Sequence, residues 1–397
     1  MFYIYIMHST PIASRLHIGI FGKVNSGKST LLNALTSQEV SLVSEQKGTT
    51  TDPVYKTMEI YGIGPVVFID TAGFEDSSSI GILRIEKSRE IIKKTNIAIV
   101  LFCDMDIEEG MQWVAALKEQ NAKIIIAVND MENNNAAGIA NKLKAELNEE
   151  IIVVNALKKL GIEEVKEALI RNAPSDKEID ITGNLVKEGD TVMLVMPQDI
   201  QAPKGRLILP QVQTLRELLD KKCIVVSCVT EKIDETLAAL NKAPSLIICD
   251  SQVFKTVYEK KPKESKLTSF SVLFAAYKGD IESFLNGAKY IDSLTANSHV
   301  LIAEACSHAP LNEDIGREKI PNLLRKTYGN LSITVVSGTD FPKDLTKYSL
   351  IIHCGSCMFN RKYVLSRIEE AKRQNVPITN YGIVIACLQG ILEKVSW

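Results

Sequence analysis

The chain has little of several things, and each shortage excludes a class of protein. Its 397 residues carry 46 Lys plus Arg against 48 Asp plus Glu, a formal charge of -2, so no dominant basic surface for nucleic acid is expected. Eight cysteines over that length are too sparse for a disulfide scaffold. No apolar run is long enough to span a bilayer, and stable membrane insertion is not expected. The opening stretch MFYIYIMHSTP is apolar but short and lacks a basic n-region, so it reads as neither signal peptide nor anchor. A cytoplasmic location is the expectation. Met1 to Ile6 can add an edge strand, or the chain can start at Met7. Internal repeats and long low-complexity tracts are missing as well.

What is present is the mixture of a folded protein, with 45% hydrophobic, 24% charged and 6% aromatic residues. The length allows two or three domains, each able to bury a core. Apolar strands at Leu16–Phe21, Pro65–Ile69, Ile97–Phe102, Ala122–Val128 and Ile151–Val154 alternate with helical patterns. These include STLLNALTS, the charged run Leu83–Lys94 and a closing helix at Gly161–Leu169. That alternation predicts an α/β domain over 11–174 with a mostly parallel sheet. After PSDKEIDITG, strands at Thr191–Met196 and Cys223–Val229 with helices at Gln213–Leu219 and Ile233–Leu240 predict a small α/β domain over 180–260. The run YEKKPKESK precedes a third α/β unit over 265–397, with a helix at Phe270–Phe274 and strands at Val300–Ala303, Leu331–Ser337 and Leu350–Ile352.

Between the first strand and helix, Gly22-Lys23-Val24-Asn25-Ser26-Gly27-Lys28-Ser29 has the G-x-x-x-x-G-K-S spacing of a phosphate loop. Backbone N–H groups of such a loop surround phosphate oxygens, with Gly22, Asn25, Ser26, Gly27 and Thr30 around the nucleotide. Lys28 reaches the β and γ phosphates, and the Ser29 hydroxyl ligates Mg2+ at a helix N-terminus that favours anions. Asp70-Thr71-Ala72-Gly73 follows an apolar strand, as a carboxylate approaching Mg2+ through water must, and Gly73 can present its N–H to the γ phosphate. Gly48-Thr49-Thr50-Thr51-Asp52 suits a switch loop in which Thr50 is the preferred further Mg2+ ligand; a simple polar loop is the alternative.

The order of these elements resembles the GTP-binding proteins of the translation-factor-related class, particularly the tRNA-modification and ribosome-assembly GTPases. That resemblance implies GTP/GDP as the nucleotide and Asn-Lys-x-Asp as the base-recognition motif, where this chain has Asn129-Asp130-Met131-Glu132. Asn129 can still hydrogen-bond guanine, and Glu132 keeps a carboxylate one methylene further out. Asn155-Ala156 stands where a Ser-Ala pair is expected, so weaker guanine discrimination follows. Phe74, after Asp-Thr-Ala-Gly, cannot orient water, so hydrolysis is expected to be slow. Asn25 resembles the asparagine that lets related GTPases bind K+; capping of its own loop is the alternative.

Cys306-Ser307-His308 and, after 44 intervening residues, His353-Cys354-Gly355-Ser356-Cys357 concentrate three of the 8 cysteines and two of the 5 histidines in two short segments. Three thiolates can hold three irons of a 4Fe-4S cluster and leave one for His308, His353, a carboxylate or an external molecule. Zinc with Cys3His ligation and unmetallated buried thiols are the alternatives.

A phosphate-loop domain, a middle domain and a C-terminal C-x-H-x44-H-C-x-x-C pattern together resemble the HydF family, the GTPase scaffolds of iron-iron hydrogenase maturation. By that resemblance Cys306, Cys354 and Cys357 are cluster cysteines accompanied by His308 and His353. The middle domain mediates homodimerisation, and Asp250-Ser251-Gln252 lies near its junction with the cluster domain. The implied role is a carrier that receives a diiron subcluster precursor made with two radical-S-adenosylmethionine enzymes and delivers it to apo iron-iron hydrogenase. The chain itself lacks C-x-x-x-C-x-x-C and is not expected to generate radicals. The alternative role is a translation- or tRNA-associated GTPase, or a metallochaperone, with a structural zinc site.

Overall fold

Leu16–Phe21 (β1) is apolar at nearly every position and buried on both sides, as a strand must be when helices cover both faces of a parallel sheet. In the computed structural model it is the middle strand of seven, in the order β2-β3-β4-β1-β5-β6-β7. The others are Ser44–Gln46 (β2), Val54–Ile60 (β3), Gly64–Asp70 (β4), Ile97–Phe102 (β5), Lys123–Asn129 (β6) and Ile151–Val154 (β7). β1 pairs in parallel with β4 and β5, and only β2 and β3 run antiparallel to their neighbours. The structure describes residues 11–36, 44–46, 54–71, 89–132, 134–174, 180–198, 207–305, 314–356 and 358–397. They fall in two units, Met1–Lys177 and Glu178–Trp397.

In the first unit, alternate residues of each strand feed opposite cores. Ile18, Ile20, Ile97, Ile99 and Leu101 pack with Leu31 and Leu35 of α1 (Lys28–Thr36). Phe21, Ala98, Val100 and Phe102 pack on the other face with Trp113 of α2 (Glu108–Glu119) and with Ile139 and Leu143 of α3 (Ala136–Leu147). The closing helix α4 spans Ile162–Asn172. Of the run Leu83–Lys94, residues 89–94 are helical; 83–88, the expected edge strand Met1–Ile6 and the loop Gly48–Asp52 lie outside the described residues.

The second unit holds two parallel four-stranded sheets. The first has the order β11-β10-β8-β9, built from Thr191–Val195 (β8), Ile224–Cys228 (β9), Leu246–Cys249 (β10) and Lys266–Ser269 (β11), so its edge strand comes from beyond residue 260. Its helices are α5 (Leu209–Asp220), α6 (Ile233–Ala238), α7 (Phe254–Lys260) and α8 (Phe270–Lys278). The second sheet has the order β13-β12-β14-β15, from His299–Glu304 (β12), Ser332–Ser337 (β13), Leu350–His353 (β14) and Ile378–Asn380 (β15). Around it lie α9 (Ile281–Ala288), α10 (Ile320–Tyr328), α11 (Arg361–Arg373) and α12 (Tyr381–Leu388).

One apolar core runs through both sheets, joining Met193, Ile247 and Phe254 to Val300, Ile352 and Ile383. Arg361 strengthens the join: Nη1 donates to the carbonyls of Ala276, Tyr277 and Gly279 at 3.1, 2.7 and 2.7 Å, placing a cation at the C-terminal end of α8. Lys319 Nζ donates to Gln252 Oε1 at 2.9 Å, so Asp250-Ser251-Gln252 does lie beside the C-terminal region. Among the described residues no helix is long and apolar enough to cross a membrane.

Backbone contact replaces side-chain contact where α9 crosses β15. A Cβ on Gly287 would stand 1.9 Å from the Ile378 carbonyl oxygen. Helix propensity alone favours Ala over Gly by about 1 kcal/mol, whereas overpacking costs about 1–3 kcal/mol. Gly287→Ala is therefore expected to lower the denaturant midpoint of the second unit, the sign opposite to propensity; urea titration followed by circular dichroism measures it.

Candidate functional site

The sheet of the first unit reverses strand order about β1, and such a reversal opens a crevice at the carboxyl ends of the strands. The chain leaves β1 there through Gly22 (φ +143°), Asn25 (φ +60°) and Gly27 (φ +93°) before Lys28 begins α1. Both glycines are required by close approach. A Cβ would lie 2.3 Å from the Leu101 carbonyl oxygen at Gly22 and 2.3 Å from Asn129 Nδ2 at Gly27.

Lys28 is buried and its Nζ donates to the carbonyls of Gly22 and Lys23 at 2.8 and 2.6 Å, which holds the ammonium across the loop. Ser29 Oγ donates to Asp70 Oδ2 at 2.6 Å, because Asp70 ends β4 directly beside Ile20. Burial raises the Asp70 pKa, against the Ser29 hydrogen bond and the charges of Lys28 and Lys56. This hydroxyl and carboxylate are the pair that would hold Mg2+. Ser26 is buried with no hydrogen-bond partner for Oγ among the described residues, while Asn25, Ser29 and Thr30 are exposed. Thr50 and Gly73 lie outside the described residues.

Asn129 ends β6 and ties the phosphate-loop segment to the loop after β7. Its Nδ2 donates to the Ser26 carbonyl at 2.9 Å, and its Oδ1 accepts from the Ala156 N–H at 3.2 Å. Asn155 exchanges backbone hydrogen bonds with Leu160 and accepts from the Lys158 N–H. Glu132 is exposed in the turn after β6.

Sequence reasoning missed Asn134, whose Nδ2 donates to the carbonyls of Cys103 and Asn129, both at 2.7 Å, and whose Oδ1 accepts from the Met131 N–H. It also missed Lys23, whose Nζ reaches Asp104 at 3.2 Å and Asp106 at 2.7 Å. Burial opposes that ammonium, but hydrogen bonds to Asp106 and Asp104 outweigh it and raise its pKa. The available signal was position, since Asp104 and Asp106 follow the end of a sheet strand.

The second sheet of the second unit reverses order between β12 and β14, and both Cys/His segments leave from there. Ala303 pairs with His353, and the Cys354 N–H donates to the Ala303 carbonyl at 3.0 Å. Cys354 Sγ then accepts from the N–H groups of Ala305 at 3.0 Å and Ser356 at 3.4 Å. Two N–H donors thus aim at one sulfur, an atom of the kind soft metals take as a ligand. Cys306 follows Ala305 in the chain and Cys357 follows Ser356; Cys306, His308 and Cys357 lie outside the described residues. Among the described residues no three Cys, His, Asp or Glu side chains come together as a metal site.

His353 is fully buried. Its Nε2 lies 3.0 Å from Arg367 Nη1, which can only donate, so Nε2 accepts and the proton is on Nδ1, 3.0 Å from the Cys354 carbonyl and 3.0 Å from Ser356 Oγ. Coordination through His353 therefore requires one of these contacts to be released. Burial and then the Arg367 charge push its pKa down to about 3, against the hydrogen bond to Cys354. Arg367 lies 4.7, 4.7 and 5.0 Å from the ring centres of Phe341, Phe359 and Tyr363 and donates to the Gly338 carbonyl.

Residues 17–130 match the model of the 50S ribosome-binding GTPase family, residues 181–279 that of the hydrogen maturase F dimerization domain, and residues 282–396 that of the hydrogen maturase F tetramerization domain. The first unit thus carries a GTPase domain. Among curated proteins the chain is similar to the tRNA modification GTPase MnmE of Aquifex aeolicus, 31% identical over 170 residues, 42% of this chain and 36% of that protein. It is also similar to GTPase Der of Kosmotoga olearia, 40% identical over 119 residues, 28% of this chain and 27% of that protein. The matched stretch is well under half of either relative. Two solved structures are similar at lower identity. Era of Aquifex aeolicus bound to GDP and AlF4- has 18% identity and a TM-score of 0.35, over 57% of this chain and 98% of that one. The G domain of the T. maritima FeoB iron transporter has 21% identity and a TM-score of 0.32, over 40% of this chain and 99% of that one.

Two measurements test the geometry. Gly27→Ala forces Cβ onto the Asn129 amide at a left-handed φ, and is expected to weaken guanine-nucleotide binding more than tenfold, a loss above about 1.4 kcal/mol, in a fluorescent-GDP titration. His353 has a folded pKa below its ordinary 6.5, so its contribution to stability is complete above 6.5 and is lost as pH falls toward about 3. Metal-free chain should lose up to about 1.4 kcal/mol per pH unit across that window, and His353→Gln should flatten the slope in urea titrations at stepped pH.

Proposed function

This chain belongs to the hydrogen maturase F family, and we propose that it is a GTP-hydrolysing scaffold that carries a 4Fe-4S cluster and delivers a diiron subcluster precursor to apo iron-iron hydrogenase. In this reading Lys28 moves from the loop carbonyls to the β and γ phosphates. Ser29 and Thr50 hold Mg2+, Asp70 acts on it through water, and the Gly73 N–H meets the γ phosphate. Asn129 and Glu132 read guanine beside Ala156, with the weaker selectivity that Asp130 and Glu132 imply. Asn25, exposed at the mouth of the loop, holds K+ in place of an arginine finger, and hydrolysis is slow because Phe74 cannot orient water.

The scaffold role rests on one observation above the others. Cys354 Sγ is hydrogen-bonded by two amides where the Cys306-bearing segment leaves the neighbouring strand. Cys306, Cys354 and Cys357 would hold the cluster, with His308 or His353 as accompanying groups. When bound, the cluster supplies an iron with a free coordination position at which a diiron precursor can attach. Two radical-S-adenosylmethionine enzymes are the proposed source of the precursor.

Homodimerisation through residues 181–279 fits the edge strand β9, where Ile224 is 59% exposed. A cytoplasmic location suits a chain whose described helices do not span a membrane.

Anaerobic reconstitution with metal analysis and electron paramagnetic resonance tests the cluster. About four irons and four sulfides per chain, lost on replacing Cys306, Cys354 or Cys357, are expected, whereas one zinc and no reducible cluster would overturn this reading. GTP turnover is expected to be faster in K+ than in Na+, and Asn25→Ala to erase the difference; equal rates in both salts would remove K+ from the mechanism.

A further inference from the structure

Strands lose ladder partners where they end, and the backbone groups there must be met by something else. β5 and β6 end together: their last paired residues are Phe102 and Val128, and one position further on stand the carbonyls of Cys103 and Asn129. Asn134 Nδ2 donates to both at 2.7 Å, so a side-chain amide extends the ladder by one rung. Its Oδ1 accepts from the Met131 N–H at 3.0 Å, and its own backbone N–H donates to the Met131 carbonyl at 3.2 Å. Both amide hydrogens and the amide oxygen of one side chain are thus in use.

The backbone fastened in this way is the stretch that carries Asn129 and Glu132. It is held from the opposite side as well, since the Asp130 N–H donates to the Val154 carbonyl of β7 at 2.6 Å. The anchor on β5 is itself tied to the phosphate loop. Asp104, next after Cys103, receives Lys23 Nζ at 3.2 Å, Asp106 receives the same ammonium at 2.7 Å, and the Asp106 N–H donates to Asp104 Oδ1 at 2.9 Å. Contacts therefore run without a break from the phosphate loop through Cys103–Asp106 to Asn134. Glu132, exposed two positions before Asn134, has no such tie of its own, and its place is set by the backbone on either side.

We propose that Asn134 is a positioning residue for base selectivity: its amide fixes the turn before the nucleotide arrives, so that the Glu132 carboxylate stands ready for the ring N–H and amino group of guanine. The inference rests on the reading of Asn129 and Glu132 as the guanine contacts. Without the clamp the turn must be ordered at the moment of binding, and that cost comes off the affinity. The cost falls on the base and not on the phosphates, which Lys28 and the loop amides hold independently.

The test titrates full-length wild type, Asn134→Ala and Asn134→Asp with GDP and with IDP, whose base lacks the amino group, and measures GTP turnover. Asn134→Ala is expected to weaken GDP about tenfold and IDP by less, narrowing the preference between them, and to raise KM for GTP while leaving kcat near wild type. Asn134→Asp keeps the shape and the acceptor for Met131 but turns an oxygen onto two carbonyls, so it is expected to do no better than alanine. Unchanged GDP affinity, or an equal loss for GDP and IDP, would show a merely structural amide and overturn the proposal. If wild type itself binds GDP and IDP equally, the reading of Glu132 falls and this inference with it. Should neither variant fold, hydrogen exchange in nucleotide-free wild type decides: a protected Met131 amide is expected, and exchange at the rate of an open turn sinks the idea.

Discussion

Two backbone N–H groups aimed at one sulfur are the interaction on which the C-terminal region depends. The donors belong to Ala305 and Ser356, 51 positions apart in the chain, and they meet at Cys354 only because β12 and β14 are parallel neighbours in fixed register. Slip that register by one residue and the amides face away. Everything behind them serves to hold it: the fully buried Val300, Leu301, Ile351 and Ile352, and the helices that cover both faces. A strand end is also where backbone groups cease to be used by the ladder, which is why a polar site can exist at the rim of an otherwise apolar sheet.

The two sites share that architecture and differ in what neutralises their charge. At the phosphate loop a buried ammonium, Lys28, lies on backbone carbonyls and a carboxylate, Asp70, receives a hydroxyl, so each charge is held by a neutral partner that a charged ligand can replace. At the Cys354 site the imidazole of His353 is neutral, with one nitrogen fed by Arg367 and the other closing on Cys354's own carbonyl. The first arrangement is made of contacts that can be exchanged. The second is a rigid frame, since Arg367 is also packed among Phe341, Phe359 and Tyr363.

Legibility in the sequence followed the range of the interaction. Gly22 to Ser29 was readable because its spacing, its glycines and the helix it opens are local, and the alternation of apolar runs with helical periods pointed to the mostly parallel sheet of the first unit, though not to the strand directions of the other two sheets. The strand Lys266–Ser269 was not read as part of the middle sheet, since four residues beginning with a lysine after a charged run carry little periodicity; its place comes from pairing with Leu246–Cys249. The engagement of His353 by Arg367 depends on the first turns of α11 folding back over β14, and nothing in H-C-x-x-C foretells it. Asn134 was likewise invisible: an asparagine at a helix entry suggests a turn, not a clamp across two strands.

The shared core of the second unit has a mechanical consequence. With Met193 and Ile247 in the same apolar mass as Ile302 and Ile352, and Arg361 locked to the end of α8, there is no soft plane along which the two sheets could shear. The described residues of 178–397 act as a lever arm rather than a hinge: a push delivered anywhere on it moves the strand ends at Ala303 and His353 as a whole.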